Sequence, residues 1–372
     1  MSASPPVHAR PWILIEPYYG GSHRHLIDGL VARLSGPLRF ERWTLPPRRW
    51  KWRMRGAALH FAERWRRERP DAAGIFVTSL LDAAALRGLL PREAAALPLL
   101  LYFHENQLAY PVRVDDRRDE HYAWTNVQSA AAADRVLWNS AYNRDSFLTA
   151  LPEFLRRLPA PRLPGLVEQL RARSTVLPVP AALAELAARP RAAREGPPRL
   201  LWNHRWEHDK GPEEFFAALI ALAREGLEFS VSVLGERFAA TPPIFDVARE
   251  ALGARVAHWG FLESREAYAE ALGEADLVVS CARHEFQGLA LLEAAAAGAL
   301  PLVPDALVYP ELWPASRRYP PGQLEGALRT HLLQPERWRG EECRAAALAH
   351  DWSALGGRWR ELFATAGRDG DV

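Results

Sequence analysis

The chain has 372 residues, of which 48% are hydrophobic and 25% charged, with a formal net charge of +2. These values are typical of a globular protein with two domains, and the mild charge neither requires nor excludes a nucleic-acid partner. Two cysteines exclude a disulfide framework, and no apolar run approaches the ~20 residues that span a bilayer. Residues 1–10 lack a signal-peptide core, so we expect a cytoplasmic protein without a membrane anchor.

The first half alternates short apolar runs with longer amphipathic stretches, which is the pattern of a parallel sheet with crossover helices. The runs predict strands at 12–16, 38–44, 74–78, 99–103, 135–138 and 175–178. The stretches between them predict helices at 24–34, 57–69, 81–89, 121–133 and 141–151.

A segment rich in Ala, Arg and Pro, 180–198, predicts a short helix and a linker, after which the alternation restarts. Strands are predicted at 199–202, 229–234, 255–259, 277–280 and 300–303. Helices are predicted at 212–224, 244–252, 266–272 and 289–297, and from 320 to about 366.

The alternation predicts an α/β protein of two doubly wound, Rossmann-like domains that face a central cleft. We place the N-terminal domain at 1–180 and the C-terminal domain at 181–345. The remaining residues, 346–372, are predicted to form a helix and tail that pack back on the N-terminal domain.

Two carboxylates, Glu285 and Glu293, lie eight residues apart around Gly288, where a helix is predicted to begin. A helix N-terminus favours anions, and carboxylates accept hydrogen bonds from vicinal sugar hydroxyls. The alternative is that Glu285 only caps the helix while Glu293 faces solvent. This segment therefore predicts a site for a sugar and its nucleotide.

Two cations, Arg205 and Lys210, follow the first strand of the second half. Arginine binds phosphate through two parallel hydrogen bonds, and lysine adds a compact charge. Lys210 is one of only two lysines, the other being Lys51, which favours a functional role over a solvated loop. Replacing Lys210 or Glu285 by alanine is expected to reduce turnover at least roughly tenfold without preventing folding.

Two further loops follow strands of the first half. Gly20 and Gly21 allow close approach of a ligand, and Ser22 is expected to cap the next helix, although a plain tight turn is the alternative. The second loop carries four consecutive polar residues that suit hydroxyl recognition: His104, Glu105, Asn106 and Gln107.

A basic segment interleaves cations with tryptophans, a combination that binds phosphates and stacks on unpaired bases. A basic amphipathic surface is the alternative. Its residues are Arg48, Arg49, Trp50, Lys51, Trp52 and Arg53. The sequence shows no metal-ligating His-Glu-x-x-His or paired Cys-x-x-Cys motif and no Asp-x-Asp loop, so we predict metal-independent chemistry without a cofactor.

The second half resembles the retaining family-4 glycosyltransferases of GT-B fold. Longer strings extend the resemblance over residues 12–313 to the glycosyltransferase-like domain-containing protein 1 family. They are Glu-Pro-Tyr-Tyr-Gly-Gly-Ser-His at 16–23, Trp-Lys-Trp-Arg at 50–53, Phe-His-Glu-Asn-Gln-Leu at 103–108, Asn-His-Arg-Trp-Glu-His-Asp-Lys at 203–210 and Val-Tyr-Pro-Glu at 308–311.

The resemblance implies α-mannosyl transfer, with retention, from GDP-mannose to queuosine in the tRNA anticodon. Arg205 and Lys210 would neutralise the departing diphosphate, and His104 would lie beside the anomeric carbon. The residues implied to bind the donor are Gly20, Gly21, Gly235, Glu285, Gln287, Gly288, Leu289 and Glu293. The basic segment with Glu105, Asn106 and Gln107 would face the acceptor RNA.

Three alternatives remain open from the residues alone. One is a family-4 transferase acting on a lipid or polysaccharide acceptor. Another is a sugar-nucleotide epimerase on the GT-B fold, which would need no acceptor. The third is a non-catalytic RNA-binding module.

Overall fold

The computed structural model describes residues 10–110, 119–157, 163–190, 196–237, 241–334 and 341–366. The polar start at 1–9, part of the predicted linker at 191–195 and the end of the predicted tail at 367–372 lie outside the described residues. The chain divides into two compact units, Met1–Pro180 with Leu355–Val372, and Ala181–Ala354.

The described residues form strands and helices that alternate along the chain. The strands are β1 (Trp12–Glu16), β2 (Phe40–Thr44), β3 (Gly74–Thr78), β4 (Leu99–Phe103), β5 (Arg135–Trp138), β6 (Ser174–Val176), β7 (Arg199–Asn203), β8 (Ser230–Leu234), β9 (Val256–Gly260), β10 (Leu277–Val279), β11 (Leu300–Pro304) and β12 (Arg318–Tyr319). The helices are α1 (Gly21–Leu34), α2 (Trp50–Glu68), α3 (Ala83–Leu89), α4 (Arg92–Ala95), α5 (Glu120–Ala132), α6 (Ala141–Arg157), α7 (Leu166–Ala172), α8 (Leu183–Ala187), α9 (Pro212–Arg224), α10 (Ile244–Leu252), α11 (Arg265–Glu274), α12 (Leu289–Ala296), α13 (Tyr309–Leu312), α14 (Leu324–Leu333), α15 (Glu341–Leu348) and α16 (Trp352–Ala366).

The first unit is built on a parallel sheet with strand order β2-β1-β3-β4-β5-β6. Every residue of β1, β3 and β4 is buried, because helices cover both faces of the sheet. The last helix, α16, contributes aromatic side chains to one face. The ring of Phe363 lies 5.2 Å from that of Trp12, and Trp359 Nε1 donates to the Pro178 carbonyl oxygen at 3.1 Å.

The second unit repeats the architecture with strand order β12-β11-β10-β7-β8-β9, again parallel. Its core is an aromatic cluster in which Trp206 stacks on Phe245 with ring centroids 4.3 Å apart. Trp206 Nε1 also donates to the Leu234 carbonyl oxygen at 3.3 Å. This packing anchors the loop that leaves β7.

The predicted fold class is confirmed, with differences at several elements. The helix predicted from residue 57 begins at Trp50, so the basic segment is mostly helical. The prediction of a long helical stretch after 320 was too simple, because separate helices occupy it, and the two-residue edge strand β12 was missed. No helix in the described part of the chain is long and apolar enough to cross a membrane.

Candidate active site

In the second unit, two loops leave the carboxyl edge of the sheet at neighbouring strands. The chain runs from β7 to β8 and β9 in one direction and from β10 to β11 and β12 in the other, so the order reverses between β7 and β10. Doubly wound sheets bind ligands at such a switch point. The loop after β7 carries Arg205 and Lys210, and the loop after β10 carries Glu285.

Lys210 is 7% exposed, and its ammonium group lies among three acceptors. Nζ is 2.9 Å from the His284 carbonyl oxygen, 3.2 Å from Asp209 Oδ2 and 3.4 Å from Glu285 Oε2. Burial alone would lower the pKa of Lys210, but the carboxylates of Glu285 and Asp209 raise it. Lys210 is therefore a fixed positive charge at the switch point.

The Glu285 carboxylate joins this cation to the loop that leads into α12. Its Oε1 accepts from the backbone N–H groups of Phe286 at 3.1 Å, Gln287 at 3.3 Å and Gly288 at 2.9 Å. Burial alone would raise the pKa of Glu285, but the Lys210 charge and the Gly288 N–H lower it to about 2. One oxygen thus holds the loop, as the capping alternative expected, while the other faces Lys210.

Gly288 and Gly235 meet backbone requirements in this unit. Gly288, with φ +71°, precedes α12 directly in the left-handed region, which glycine occupies without strain. At Gly235, which directly follows β8 and has φ +127°, a Cβ atom would lie 1.9 Å from the His204 carbonyl oxygen. Gly235 therefore permits the loops after β7 and β8 to approach each other.

His204, which sequence reasoning did not select, is buried beside the pair of Lys210 and Glu285. Burial, followed by the positive charge of Lys210, lowers the pKa of His204 to about 4, so the ring is neutral at physiological pH. His204 is the second residue after the predicted strand 199–202 and directly precedes Arg205, and this position was the signal in the sequence.

Arg205 differs from Lys210 in its surroundings. Its side chain is 53% exposed and its Nη2 lies 3.1 Å from Glu207 Oε2. The Arg205 charge is close enough to Lys210 to oppose protonation of the lysine. The two cations predicted from sequence are thus neighbours, one buried and one facing solvent.

Glu293 lies on α12 and is held by a tyrosine that sequence reasoning missed. Tyr268 of α11 donates its hydroxyl to Glu293 Oε2 at 2.9 Å, and Asn203 Nδ2 donates to the Ala290 carbonyl oxygen at 2.7 Å. Burial raises the pKa of Glu293, against the hydrogen bond from Tyr268. The alternative that Glu293 simply faces solvent is not supported. Tyr268 could have been found only from the fold, because 25 residues separate the pair.

In the first unit, the two glycines of the loop after β1 have different surroundings. A Cβ atom on Gly20 would lie 2.6 Å from Pro47 Cβ, so Gly20 is required for packing. Gly21 has φ +51° and open space where its Cβ would be, which leaves room for a ligand. The expected cap by Ser22 is wrong, because α1 begins at Gly21 and the helix has no side-chain cap.

His104 follows β4 and is buried against a second histidine. The rings of His104 and His23 stack with centroids 4.0 Å apart, and His23 Nδ1 lies 3.0 Å from Glu16 Oε2. Within the described residues, neither ring nitrogen of His104 has a hydrogen-bond partner. Glu105, the next residue, places Oε2 3.6 Å from His23 Nε2.

Asn106 holds the loop after β4 from inside. Its side chain is fully buried, and its Nδ2 donates to Asn143 Oδ1 at 2.8 Å while its Oδ1 accepts from the Ala109 N–H at 2.8 Å. Asn126 Oδ1 accepts from the Gln107 N–H at 2.8 Å. These bonds leave no exposed Asn106 atom that could contact an acceptor substrate. The side chain of Asn106 positions the loop instead of making the predicted direct contact. The sequence feature that could have indicated this role is the pair of asparagines on α5 and α6, Asn126 and Asn143.

Glu16, His23 and His104 place their ligating atoms within 4.8 Å of one another, close enough to consider a metal ion. Burial alone would lower the pKa of His23, but Glu16 and Glu105 raise it to about 10, so a metal ion would have to displace a proton from this ring. The geometry is that of a buried ion pair with a stacked ring.

The basic segment forms the start of α2, and its two tryptophans face different environments. Trp50 packs on Tyr122 with ring centroids 5.1 Å apart, whereas Trp52 is 67% exposed. Arg53 turns back to donate to the Pro46 carbonyl oxygen at 3.3 Å. The remaining basic residues are exposed, namely Arg48, Arg49 and Lys51. The segment thus offers one free indole beside several cations.

Comparison with known proteins gives two matches to family models. Residues 12–181 match the model described as tRNA-queuosine alpha-mannosyltransferase N-terminal, and residues 185–313 match that of glycosyl transferases group 1. The chain is 39% identical over 320 residues to the tRNA-queuosine alpha-mannosyltransferase of Drosophila melanogaster, covering 84% of each chain. The chain belongs to the tRNA-queuosine alpha-mannosyltransferase family. The predicted family and enzyme class, a glycosyltransferase, are confirmed.

More distant matches to this member of the tRNA-queuosine alpha-mannosyltransferase family include one relative in sequence and two solved structures. A GDP-mannose-dependent phosphatidylinositol dimannoside mannosyltransferase of Mycobacterium tuberculosis is 25% identical over 348 residues, covering 90% of this chain and 76% of the relative. The sucrose-phosphate synthase structure from Thermosynechococcus elongatus aligns with a TM-score of 0.70 at 17% identity, covering 96% of this chain and all of that one. The structure of Anabaena HepE in complex with UDP aligns with a TM-score of 0.69 at 14% identity, covering 95% of this chain and 100% of that one. These structures confirm the GT-B fold.

Proposed function

We propose that this chain transfers mannose from GDP-mannose to queuosine in the anticodon of tRNA, with retention at the anomeric carbon. The observation that carries the proposal is the 39% identity to the Drosophila enzyme over 84% of both chains. We assign the N-terminal unit to the acceptor and the C-terminal unit to the nucleotide sugar. The protein acts in the cytoplasm, as its free cysteines, Cys281 and Cys343, also favour.

On the donor side, Lys210 and Arg205 stabilise the negative charge that develops on the departing diphosphate. Support comes from the buried ammonium at the switch point of the sheet and from the neighbouring, exposed guanidinium. The start of α12 adds the backbone N–H group of Leu289, and the N–H groups of Gln287 and Gly288, which donate to Glu285 Oε1, lie nearby. These positive groups supply what a metal ion supplies in other transferases, so the proposed reaction is metal-independent.

The two carboxylates bind hydroxyl groups of the donor. Glu285 Oε2 points to Lys210 rather than into the loop, so it can accept from a sugar hydroxyl. Glu293 binds the nucleotide ribose, and the bond from Tyr268 fixes the rotamer that it needs. Gly235 lies at the end of β8, where a backbone without a side chain suits a nucleobase.

Retention needs no covalent sugar–enzyme adduct, because the diphosphate is already a good leaving group. We propose front-face attack, in which the acceptor hydroxyl transfers its proton to the departing phosphate oxygen. The protein then acts mainly by stabilising charge on the leaving group. A trapped adduct on Glu285 would contradict this mechanism.

On the acceptor side, α2 presents Trp52 for stacking on an unpaired base and Lys51 for a phosphate, and Arg48 and Arg49, which directly precede α2, offer two further cations. The exposure of Trp52 supports this assignment, whereas Trp50 is committed to Tyr122. Glu105 and Gln107 contribute polar groups, and Gly21 leaves space for the diphosphate. His104 hydrogen-bonds a hydroxyl of the donor sugar through a ring nitrogen.

The test is mass spectrometry of queuosine nucleosides from tRNA that has been incubated with the purified protein and GDP-mannose. A gain of one hexose on queuosine is the expected result. A gain only with a different nucleotide sugar would retain the acceptor and correct the donor. No gain with any donor would refute the proposal. The tRNA from a strain that cannot make queuosine is the matched control.

A lipid acceptor is the alternative that one relative favours, since the mycobacterial protein is named for phosphatidylinositol dimannoside. The same purified protein should then transfer mannose to phosphoinositide vesicles and leave tRNA unmodified. An epimerase would instead release nucleoside diphosphate without any acceptor.

A further inference from the structure

A buried ion pair at the carboxyl edge of the first sheet has no role in the reaction described so far. Glu16 is the last residue of β1, and His23 lies in the first turn of α1. Glu16 Oε1 accepts from the Tyr18 N–H at 2.8 Å, and Oε2 lies 3.0 Å from His23 Nδ1. Glu16 is fully buried, and a buried carboxylate destabilises a protein unless it is paired. The contact with His23 is therefore needed to keep Glu16 charged inside the protein.

The ion pair contacts a histidine whose own nitrogen atoms are unused. The His23 ring stacks on the His104 ring with an interplanar angle of 29°. Tyr102 packs edge-on against the His104 ring, with ring centroids 4.8 Å apart. In the part of the chain that the structure describes, both nitrogens of His104 lack a hydrogen-bond partner although they are buried. Buried polar atoms are nearly always bonded, so these two nitrogens are candidates for a ligand.

We propose that the Glu16–His23 ion pair positions His104: Glu16 holds the His23 ring against one face of the His104 ring, which fixes the orientation of His104 and places a positive charge where it opposes protonation of that ring. A neutral imidazole offers one donor and one acceptor to a sugar hydroxyl, whereas an imidazolium offers only donors. This inference rests on the proposed function, because that function gives His104 its contact with the donor sugar.

The electrostatics of the cluster agree with this geometry. The titratable groups that face His104 are His23 and His25 from α1, Glu16 from β1, Tyr102 from β4 and Glu105 from the loop after β4. Burial alone would lower the pKa of His23, but Glu16 and Glu105 raise it to about 10. Burial, followed by the charges of His23 and His25, lowers the pKa of His104 well below its usual range.

Two variants separate charge from shape. His23→Gln removes the imidazolium, and the double variant Glu16→Gln with His23→Phe keeps an aromatic ring on His104 without leaving a carboxylate unpaired. The wild-type kcat/KM for GDP-mannose should vary little between pH 6 and pH 8. In His23→Gln it should fall by about threefold or more at pH 6 relative to pH 8, because the carboxylates of Glu16 and Glu105 then favour protonation of His104 without an opposing charge on residue 23. In the double variant the fall should be smaller, because His104 stays buried and residue 16 carries no charge.

A purely structural role would lower stability but leave the pH profile unchanged, and that result would overturn the inference. The control variant is Asp134→Asn, which breaks the 3.1 Å ion pair with Arg87 at the opposite edge of the same sheet. It should be less stable than wild type and show no new acidic limb.

A second measurement decides the inference even if the protein does not act on queuosine tRNA. Nuclear magnetic resonance of protein labelled with ¹⁵N at histidine follows each ring directly, and His104→Gln identifies the resonance of His104. We expect His104 to remain neutral from about pH 5.5 to pH 8.5 in the wild type, to titrate in that range in His23→Gln, and to titrate at a lower pH in the double variant, where burial still opposes its protonation. The same titration in all three proteins would refute the positioning role. Failure of mannosyl transfer in the wild type would refute only the proposed function.

Discussion

Neutralising the buried pair of Lys210 and Glu285 should cost both stability and turnover. We consider Lys210→Met, Glu285→Gln and the double variant, which keep the approximate shape of the side chains. Lowering the pKa of Glu285 from 4.5 to about 2 corresponds to about 3 kcal/mol of stability at pH 7. The Lys210 charge is the largest of the favourable causes, so Lys210→Met should lower the free energy of unfolding by about 2 to 3 kcal/mol.

Chemical denaturation in urea, followed by circular dichroism, measures this loss. A carboxyl whose pKa is lowered on folding stabilises the protein above its unfolded pKa and stops doing so as the pH falls through the folded value. The difference between wild type and Lys210→Met should therefore be largest above about pH 6 and shrink as the pH falls from about 4.5 towards 2. The double variant should be more stable than the sum of the single losses predicts, because it leaves no unpaired Glu285 charge.

Turnover provides the second readout of the same variants. Removing one preorganised charge from a transition state typically costs about 100- to 1,000-fold in kcat. Lys210→Met should lose activity on this scale, and the double variant should regain stability without regaining turnover. Equal stability of Lys210→Met and wild type at pH 7 would refute the reasoning about the buried pair. Normal turnover in a folded Lys210→Met would refute its role at the diphosphate.

Three further changes test separate parts of the molecule. Trp52→Ala should raise the KM for tRNA about 5- to 150-fold with little change in melting temperature, whereas Trp50→Ala should lower the melting temperature. Steady-state kinetics measure the first effect and calorimetry the second. A Trp52→Ala variant with the tRNA affinity of the wild type would remove Trp52 from the interface. Tyr268→Phe should raise the KM for GDP-mannose about 3- to 10-fold with kcat nearly unchanged, because the Glu293 side chain loses the hydrogen bond that fixes its rotamer. An unchanged KM would contradict the assignment of Glu293 to the nucleotide ribose. Gly235→Ala should lower the melting temperature by several degrees or prevent folding, because the Cβ of the alanine would overlap the His204 carbonyl oxygen. A variant as stable as the wild type would contradict the close approach of the loops after β7 and β8.

Much of the architecture could be predicted because parallel strands carry a strong local signal. The strands β1, β3 and β4 are buried on every residue, so they occur in the sequence as continuous apolar runs between polar turns. The edge strand β12 has only two residues and leaves no such run. The start of α2 was missed because Trp50 to Arg53 has an aromatic and cationic composition that resembles a loop, and Arg49 precedes it in the left-handed region.

The candidate site was predictable where the order of the strands brings residues together and not where the packing of neighbouring helices does. Lys210 and Glu285 follow strands that are adjacent in the sheet, so the topology rule suffices to pair them. Tyr268 reaches Glu293 only through the packing of α11 beside α12, which no local pattern encodes. The role of Asn106 changed for the same reason, since its side-chain partner Asn143 lies on α6, 37 residues away, and burial alone distinguishes a positioning amide from a contacting one.

The retention of a lysine at 210 in a chain with so few lysines has a geometric reason. An ammonium group carries three donors on a single atom, and Lys210 Nζ lies 2.9 to 3.4 Å from three acceptors on Asp209, His284 and Glu285. A guanidinium spreads its donors over a flat fork that would not fit this small, buried space. Arginine suffices at 205, where the side chain is exposed. The chain therefore places the compact cation where the loops after β7 and β10 converge and the planar one where the side chain is exposed to solvent.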